Sequence, residues 1–447
     1  MFRSVNVLSG ECLFEQAATP YDEFARQLAD LRVRQRAFAR LPVTRRTALL
    51  LGLADRLQQN RERLAHMVCE EVGRCLRECL AELDKSVELI RYYARLSPEL
   101  LAHKTIATQA SLSQVRFEPL GVVLAVMPWN YPVWQVLRFA VPALCAGNAC
   151  AVKPAPSVAR VSQALFELVG PELPLMGAWL AHDDVFPAIE ACDALAFTGS
   201  TQTGRRLAAH AGACLKKTVL ELGGSNPFIV LADADLEQAA KEACYSRFRD
   251  AGQSCNAAKR IIVVEAVADT FTTLFLQECA KLRMGNPMLP ETTLAPLHRA
   301  DLRDRVQEQV RDALANGARL LCGGKMPDGA GWFYPATVLA DVSPVCRVYH
   351  EEVFGPVAML LRAKDGKEAV RLANDNPFGL GASIYTADEG QGWHYAEQLE
   401  TGAVFINRHT SSDLRLPFGG VKASGFGREL SEFGLYEFVN VKSYWQK

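Results

Sequence analysis

Hydrophobic positions recur along this chain with two different periods, and the changes from one to the other outline its architecture. From about residue 20 to about residue 100 the period is helical: Thr47–Leu57 reads Thr-Ala-Leu-Leu-Leu-Gly-Leu-Ala-Asp-Arg-Leu, with charges on the other face. Ser111–Glu118 alternates, as a half-buried strand does. Gly121–Met127 is a continuous apolar run, which suits a strand covered on both faces of a parallel sheet. Two further short runs follow. Ala149–Val152 ends at Lys153-Pro154, and Ala194–Phe197 ends at Thr198-Gly199-Ser200. Helical stretches lie between them, so the order predicts an α/β chain with a doubly wound parallel sheet. After Glu221 the pattern repeats in new material: Pro227–Leu231 and Arg260–Val264 read as buried strands, and Ala300–Gly317 as a charged amphipathic helix. The C-terminal stretch Glu437–Trp445 is strand-like but has no partner close in sequence.

Composition narrows the classes. The 447 residues allow two or three domains, 49% hydrophobic content is ample for large cores, and the net charge of −1 offers nothing to nucleic acid or an anionic membrane. No apolar stretch is long enough to span a bilayer, and the N-terminal sequence lacks the features of a signal peptide. The 13 cysteines are odd in number and scattered, as expected of free thiols in the cytoplasm. Cys69, Cys75 and Cys79 have no histidine at finger-like spacing, and no metal is expected.

Four local signals carry possible chemistry. Cys255 in Gly252-Gln-Ser-Cys-Asn256 has small, polar neighbours that leave a thiol reachable. Glu221 stands in an apolar run ending in two glycines, an environment that raises a carboxyl group toward general-base values. Asn130, between Pro128 and Pro132 in a rigid loop at a strand end, can stabilise an oxyanion. Gly199–Gly204 follows a strand and opens a helix, which presents backbone N–H groups to a phosphate. Each also has a plain structural reading, and none decides alone.

In their order and spacing, these stretches resemble the aldehyde dehydrogenase superfamily over nearly the whole chain. The matching runs are Met127–Pro132, Ala146–Asn148, Lys153-Pro154, Phe197–Thr201, Glu221–Gly224, Gly252–Cys255, Glu351–Val357 and Pro417–Gly425, and Glu221 and Cys255 stand 34 residues apart. The resemblance implies oxidation of an aldehyde to an acid. Cys255 would attack the carbonyl, Asn130 and the Cys255 N–H would hold the oxyanion, hydride would leave to a nicotinamide, and Glu221 would activate water to hydrolyse the thioester. It further implies cofactor contacts at Met127, Pro128, Trp129, Lys153, Gly199, Ser200, Glu352 and Phe354. Strictly NAD-dependent members have a glutamate three residues after the lysine. Here Pro156 stands there, so NADP is expected, alone or beside NAD.

Within the superfamily, Arg138 and Arg249 match the substrate-carboxylate ligands of succinate-semialdehyde dehydrogenases, and Ser412 lies near an assisting serine. The tail Gly425–Leu435 and Trp134–Arg138 resemble the bacterial short-form, NAD(P)-dependent branch. With Pro132 at the first helical position, Trp134 and Arg138 would share a helix face. Two unpaired arginines would invite an anion. The alternatives are a broad-specificity aliphatic or aromatic aldehyde dehydrogenase and, more remotely, a cofactor-independent cysteine esterase. The expected architecture is a cofactor domain of residues 1–100 and 120–223, a catalytic domain of residues 224–425, and oligomerisation strands at 104–119 and 436–446, with a homodimer or homotetramer as the family's assembly.

Overall fold

The computed structural model describes all residues, Met1–Lys447. It is organised around two mostly parallel sheets. In the first, the strand order is Gly425–Phe426, Lys217–Glu221, Ala194–Thr198, Val122–Val126, Ala149–Lys153, Leu175–Gly177. All neighbours are parallel except the edge strand Gly425–Phe426. The chain starts at Val122–Val126, winds outward through two strands, then returns to lay the next two on the opposite side. That reversal opens a crevice between the carboxyl ends of Val122–Val126 and Ala194–Thr198, where doubly wound sheets bind ligands.

The apolar runs follow from double coverage. Val123 and Ala125 face one core with Leu50, Val68 and Leu137, while Val122 and Leu124 face another with Phe24, Leu28 and Leu195. Neither face meets water, so no polar alternation survives.

The second sheet has the order Arg319–Cys322, Thr337–Ala340, Val357–Ala363, Ala258–Val264, Asn226–Val230, Ala382–Tyr385, Val404–Ile406, with only Arg319–Cys322 antiparallel. It has its own core, including Phe228, Ile262 and Phe275. The helix read at Ala300–Gly317 spans Ala300–Ala315.

Three antiparallel ribbons complete the chain, the shortest of them Phe378–Gly379 with Val421–Lys422. Phe2–Val5 pairs with Cys12–Gln16, an N-terminal hairpin that the hydrophobic pattern does not announce. Val439–Gln446 finds its partner far back in the sequence, at Leu112–Pro119, and Lys104–Thr105 pairs on that strand's other side. Leu414 and Phe418 pack into the first sheet's core, as do Leu430 and Leu435. No helix is long and apolar enough to cross a membrane.

Candidate active site

Three backbone segments converge between the two sheets. The first is the loop Met127–Pro132 that leaves the central strand of the first sheet. The helix after it runs Trp134–Cys145. It begins two residues later than proline placement at position 132 predicts, because its first turn is satisfied from elsewhere: Glu82 Oε1 accepts from the N–H groups of Val133 (3.0 Å) and Trp134 (2.9 Å). Trp134 and Arg138 still lie four apart on this helix.

The second segment is the turn before Cys255. Asp250 and Ala251 hold left-handed backbone, at φ 53° and 52°, a conformation that survives only where the surroundings impose it. Here a buried network does so. Arg74 donates to Asp250 (2.6 Å) and pairs with Glu82, the Tyr131 hydroxyl bonds to Asp250, and the Arg74 guanidinium lies 3.8 Å from the Tyr131 ring centroid. One guanidinium thus ties the long helix Leu76–Leu100, the Asn130 loop and the Cys255 turn together.

The third segment is Glu221–Gly224, which ends the strand Lys217–Glu221. A Cβ on Gly224 would lie 2.6 Å from the Cys255 carbonyl oxygen, so only glycine lets these backbones approach.

Cys255 lies where two cavities meet. The larger, about 480 Å³, lies along the crevice of the first sheet, and Pro128, Trp129, Gly199, Ser200, Glu352 and Phe354 line it. The smaller, about 180 Å³, lies beyond, with Lys85, Arg138, Arg249, Ser411, Ser412 and Phe418 in its wall. Asn130, Gln135 and Cys255 line both. Of the 13 cysteines, only Cys255 lines either one.

Asn130 donates one amide hydrogen to the Gln253 carbonyl at 3.1 Å and keeps the other free. The Cys255 N–H has no acceptor within the chain. Glu221 is 2% exposed, and neither carboxylate oxygen has a hydrogen-bond partner. Burial, reinforced by the nearby Glu429 carboxylate and opposed by Arg138 and Arg428, pushes Glu221 up to about 8. Burial likewise pushes the Cys255 thiol up to about 11, with Arg138 opposing and Glu221 adding to the rise. The carboxyl group of Glu221 thus adds to the rise of the thiol through its charge, although Glu221 lines neither cavity.

The larger cavity has features suited to a dinucleotide. Ser200 caps the helix Thr201–Ala213, and the first N–H groups of that helix have no intrahelical acceptor. Lys153, by contrast, does not line this cavity: it is buried, forms no ion pair and has its Nζ 5.4 Å from the Phe2 ring centroid, and burial pulls it down to about 8. Glu352 accepts from the Gly224 N–H at 3.0 Å and pairs with Lys259 at 3.3 Å. Trp129 stacks on His298 at 4.2 Å and meets Phe354 edge-on at 5.7 Å. Met127 is buried behind this wall.

The smaller cavity corrects one expectation. Arg138 is not unpaired: it forms an ion pair with Glu429, and both side chains are buried. A guanidinium only 2% exposed needs a counter-charge, and Glu429 reaches it from the tail. Arg249 is weakly compensated, with Nε 3.9 Å from Asp250, which Arg74 and Tyr131 already engage. Arg138 Nε, Arg249 Nε, Gln135 Oε1 and Ser411 Oγ are buried without hydrogen bonds. Such a set of unmet donors and acceptors calls for water or a polar ligand opposite it.

Sequence reasoning missed Lys85, Glu429 and the Arg74–Glu82–Asp250 network. Glu429 lies within the tail that carries the resemblance, but nothing local marks it as the partner of Arg138. Lys85 and Glu82 look like ordinary charges on an amphipathic helix.

Comparison with known proteins agrees with this geometry. Residues 1–444 match the profile of the aldehyde dehydrogenase family. The chain is 43% identical over 450 residues to the succinate semialdehyde dehydrogenase [NAD(P)+] Sad of Escherichia coli strain K12, covering 99% of this chain and 97% of that protein. It is 44% identical over 417 residues to a probable NADP-dependent succinate-semialdehyde dehydrogenase of Synechocystis, covering 92% and 91%. Among solved structures, the succinic semialdehyde dehydrogenase of Streptococcus pyogenes in complex with NADP+ superposes with a TM-score of 0.97 at 33% identity, over 100% of this chain and 99% of that one. With the whole chain matched in sequence and in fold, this protein belongs to the aldehyde dehydrogenase family and is an aldehyde-oxidising enzyme.

Proposed function

We propose that the enzyme oxidises succinate semialdehyde to succinate with NADP or NAD. The observation that carries this reading is the cavity on the far side of Cys255 from the cofactor crevice, whose wall sets Arg74, Lys85, Arg138 and Arg249 against Glu78, Glu82 and Asp250 and contains buried guanidinium donors that have no acceptor. Its small volume suits a short chain with a carboxylate at the end away from the aldehyde. The names of the relatives point the same way.

In this reading Glu221 accepts the Cys255 proton and the thiolate adds to the aldehyde carbon. The resulting oxyanion receives hydrogen bonds from the free Asn130 N–H and the Cys255 N–H, both fixed in advance. Lys153, Gly199, Ser200, Glu352 and Phe354 would hold the dinucleotide, with Met127, Pro128 and Trp129 lining its crevice. When bound, it supplies the nicotinamide that accepts a hydride. After Glu221 has lost its first proton to solvent, it draws a proton from the water that attacks the Cys255 thioester; the acid leaves, the C–S bond breaks and Cys255 departs as the thiolate. Lys153 favours a 2′-phosphate, since it has no acidic neighbour and Pro156 opens the turn Pro156–Val158 without a carboxylate.

The test follows reduced cofactor formation with succinate semialdehyde and with butyraldehyde, each with NADP and with NAD. The semialdehyde is expected to win by about a hundredfold in kcat/KM, roughly 2.7 kcal/mol. Arg249→Met should erase most of that gap. Arg138→Ala should erase it too, at an added cost of about 3–5 kcal/mol in stability, because Glu429 is left buried without its partner. Equal rates for the two aldehydes would make this a broad-specificity enzyme and the arginines structural. Turnover of an ester at full rate without cofactor would favour the esterase alternative.

The ribbon of Val439–Gln446, Leu112–Pro119 and Lys104–Thr105 leaves Ile106, Leu112, Val441 and Trp445 exposed, and Val439–Gln446 has one unpaired edge. Pairing between copies would cover both, which supports a homodimer or homotetramer. Sedimentation equilibrium at a single-chain mass, 49.1 kDa, would overturn this assembly.

A further inference from the structure

The cavity beyond Cys255 contains a cation for which the resemblance to the family gives no role. Lys85 lies on the helix Leu76–Leu100, in the wall of that cavity. An ammonium group has three N–H donors. One goes to the backbone carbonyl of Ser412 at 2.8 Å and one to the Ser412 hydroxyl oxygen. Nζ also lies 4.6 Å from the centroid of the Trp134 ring. The third donor has no acceptor in the chain.

The other cations in this wall each have a carboxylate. Arg74 has Glu82 and Asp250, Arg138 has Glu429, and Arg249 has Asp250 at 3.9 Å. Lys85 has no ion pair. Burial and the positive charges of Arg138 and Arg249 pull it down to about 8, with only Asp413 and Glu88 opposing. Holding an ammonium beside two guanidinium groups is unfavourable unless an anion joins them.

We propose that Lys85 is a specificity-determining residue: its third N–H donates to the distal carboxylate of the aldehyde, and Ser412 holds the ammonium in place for that contact. The inference rests on the semialdehyde reading above. It also gives Ser412 a definite task. The serine's carbonyl and hydroxyl oxygens are both spent on Lys85, while its own O–H remains free to donate.

The experiment measures kcat/KM for succinate semialdehyde and for butyraldehyde in the wild type, Lys85→Met and Lys85→Arg, with thermal unfolding of all three. Lys85→Met is expected to lower the ratio of the two efficiencies about thirtyfold, through KM for the semialdehyde rather than kcat, as loss of a charge-assisted bond should. Lys85→Arg, which keeps the charge, should recover most of the ratio. A merely structural role in anchoring the Ser412 loop would depress both aldehydes together and leave the ratio standing. A ratio within about twofold of wild type in Lys85→Met therefore overturns the assignment and spares the semialdehyde reading. A wild-type ratio near one overturns the semialdehyde reading, and this inference with it.

Discussion

Cys255→Ala is expected to abolish aldehyde oxidation, lowering kcat by at least about 10⁴-fold, or roughly 5.5 kcal/mol. The size follows from what the sulfur does. It supplies the covalent bond that splits the oxidation into two steps, and no other cysteine reaches either cavity to replace it. Cofactor binding should persist, because the residues proposed to hold the dinucleotide belong to other segments. The backbone at position 255 should also hold, since Lys259 bonds to its carbonyl oxygen at 3.1 Å and not to its side chain. Two measurements make the check: reduced-cofactor formation, and NADPH binding followed by tryptophan fluorescence. Turnover near the wild-type rate would remove Cys255 from the mechanism. Loss of NADPH binding would show that alanine had disturbed the fold and not the chemistry alone.

Glu221→Gln should cost about 10²–10⁴ in kcat, the range for a positioned general base. An amide of nearly the same shape keeps the packing but cannot accept a proton. If hydrolysis of the thioester is the step it serves, one equivalent of reduced cofactor should still form as a burst before turnover stalls, provided the thiol can lose its proton by another route. The pH dependence has a definite sign. Only the ionised carboxylate is a base, and burial places its midpoint at about 8. Wild-type kcat should therefore rise with pH through that midpoint and fall about tenfold per unit well below it. Stability runs the other way. The folded-state value stands above the ordinary carboxylate value of 4.5, so the contribution of the neutral buried acid is full below about 4.5 and is lost as pH rises toward about 8. Glu221→Gln, which never ionises, should gain in melting temperature relative to wild type across that window. A flat activity profile between pH 6 and 9 would assign the proton transfer to another group.

The hydrophobic pattern made several inner strands of both sheets legible, but not Thr337–Ala340, Val357–Ala363, Ala382–Tyr385 or Val404–Ile406 of the second. Runs such as Val122–Met127 and Ile261–Val264 are apolar at every position, and at four to six residues they are short enough for a strand covered on both faces. The sequence also marked Asn130, Glu221 and Cys255, because each is a polar or reactive side chain at an unusual place: a proline-bounded loop, the end of an apolar strand, a small-residue turn. The structure brings Asn130 and Cys255 to the junction of two cavities, whereas Glu221 is buried and lines neither. The N-terminal hairpin was not legible. Phe2 is its buried anchor, packed edge-on against Trp179 at 5.1 Å, and that partner lies far along the chain.

Which charges are paired emerges only from the folded chain. Arg138 reads as a free ligand in the sequence and is held by Glu429, while Lys85 reads as a solvated helix residue and faces the cavity without a carboxylate. The start of the helix Trp134–Cys145 was equally hidden, since its cap is Glu82 from another helix. The reason is physical. Apolar burial follows a chain's own periodicity, because a helix or strand presents its faces at fixed intervals. A buried charge is satisfied by whichever group the fold brings within a few ångströms, and no local period records which group that is.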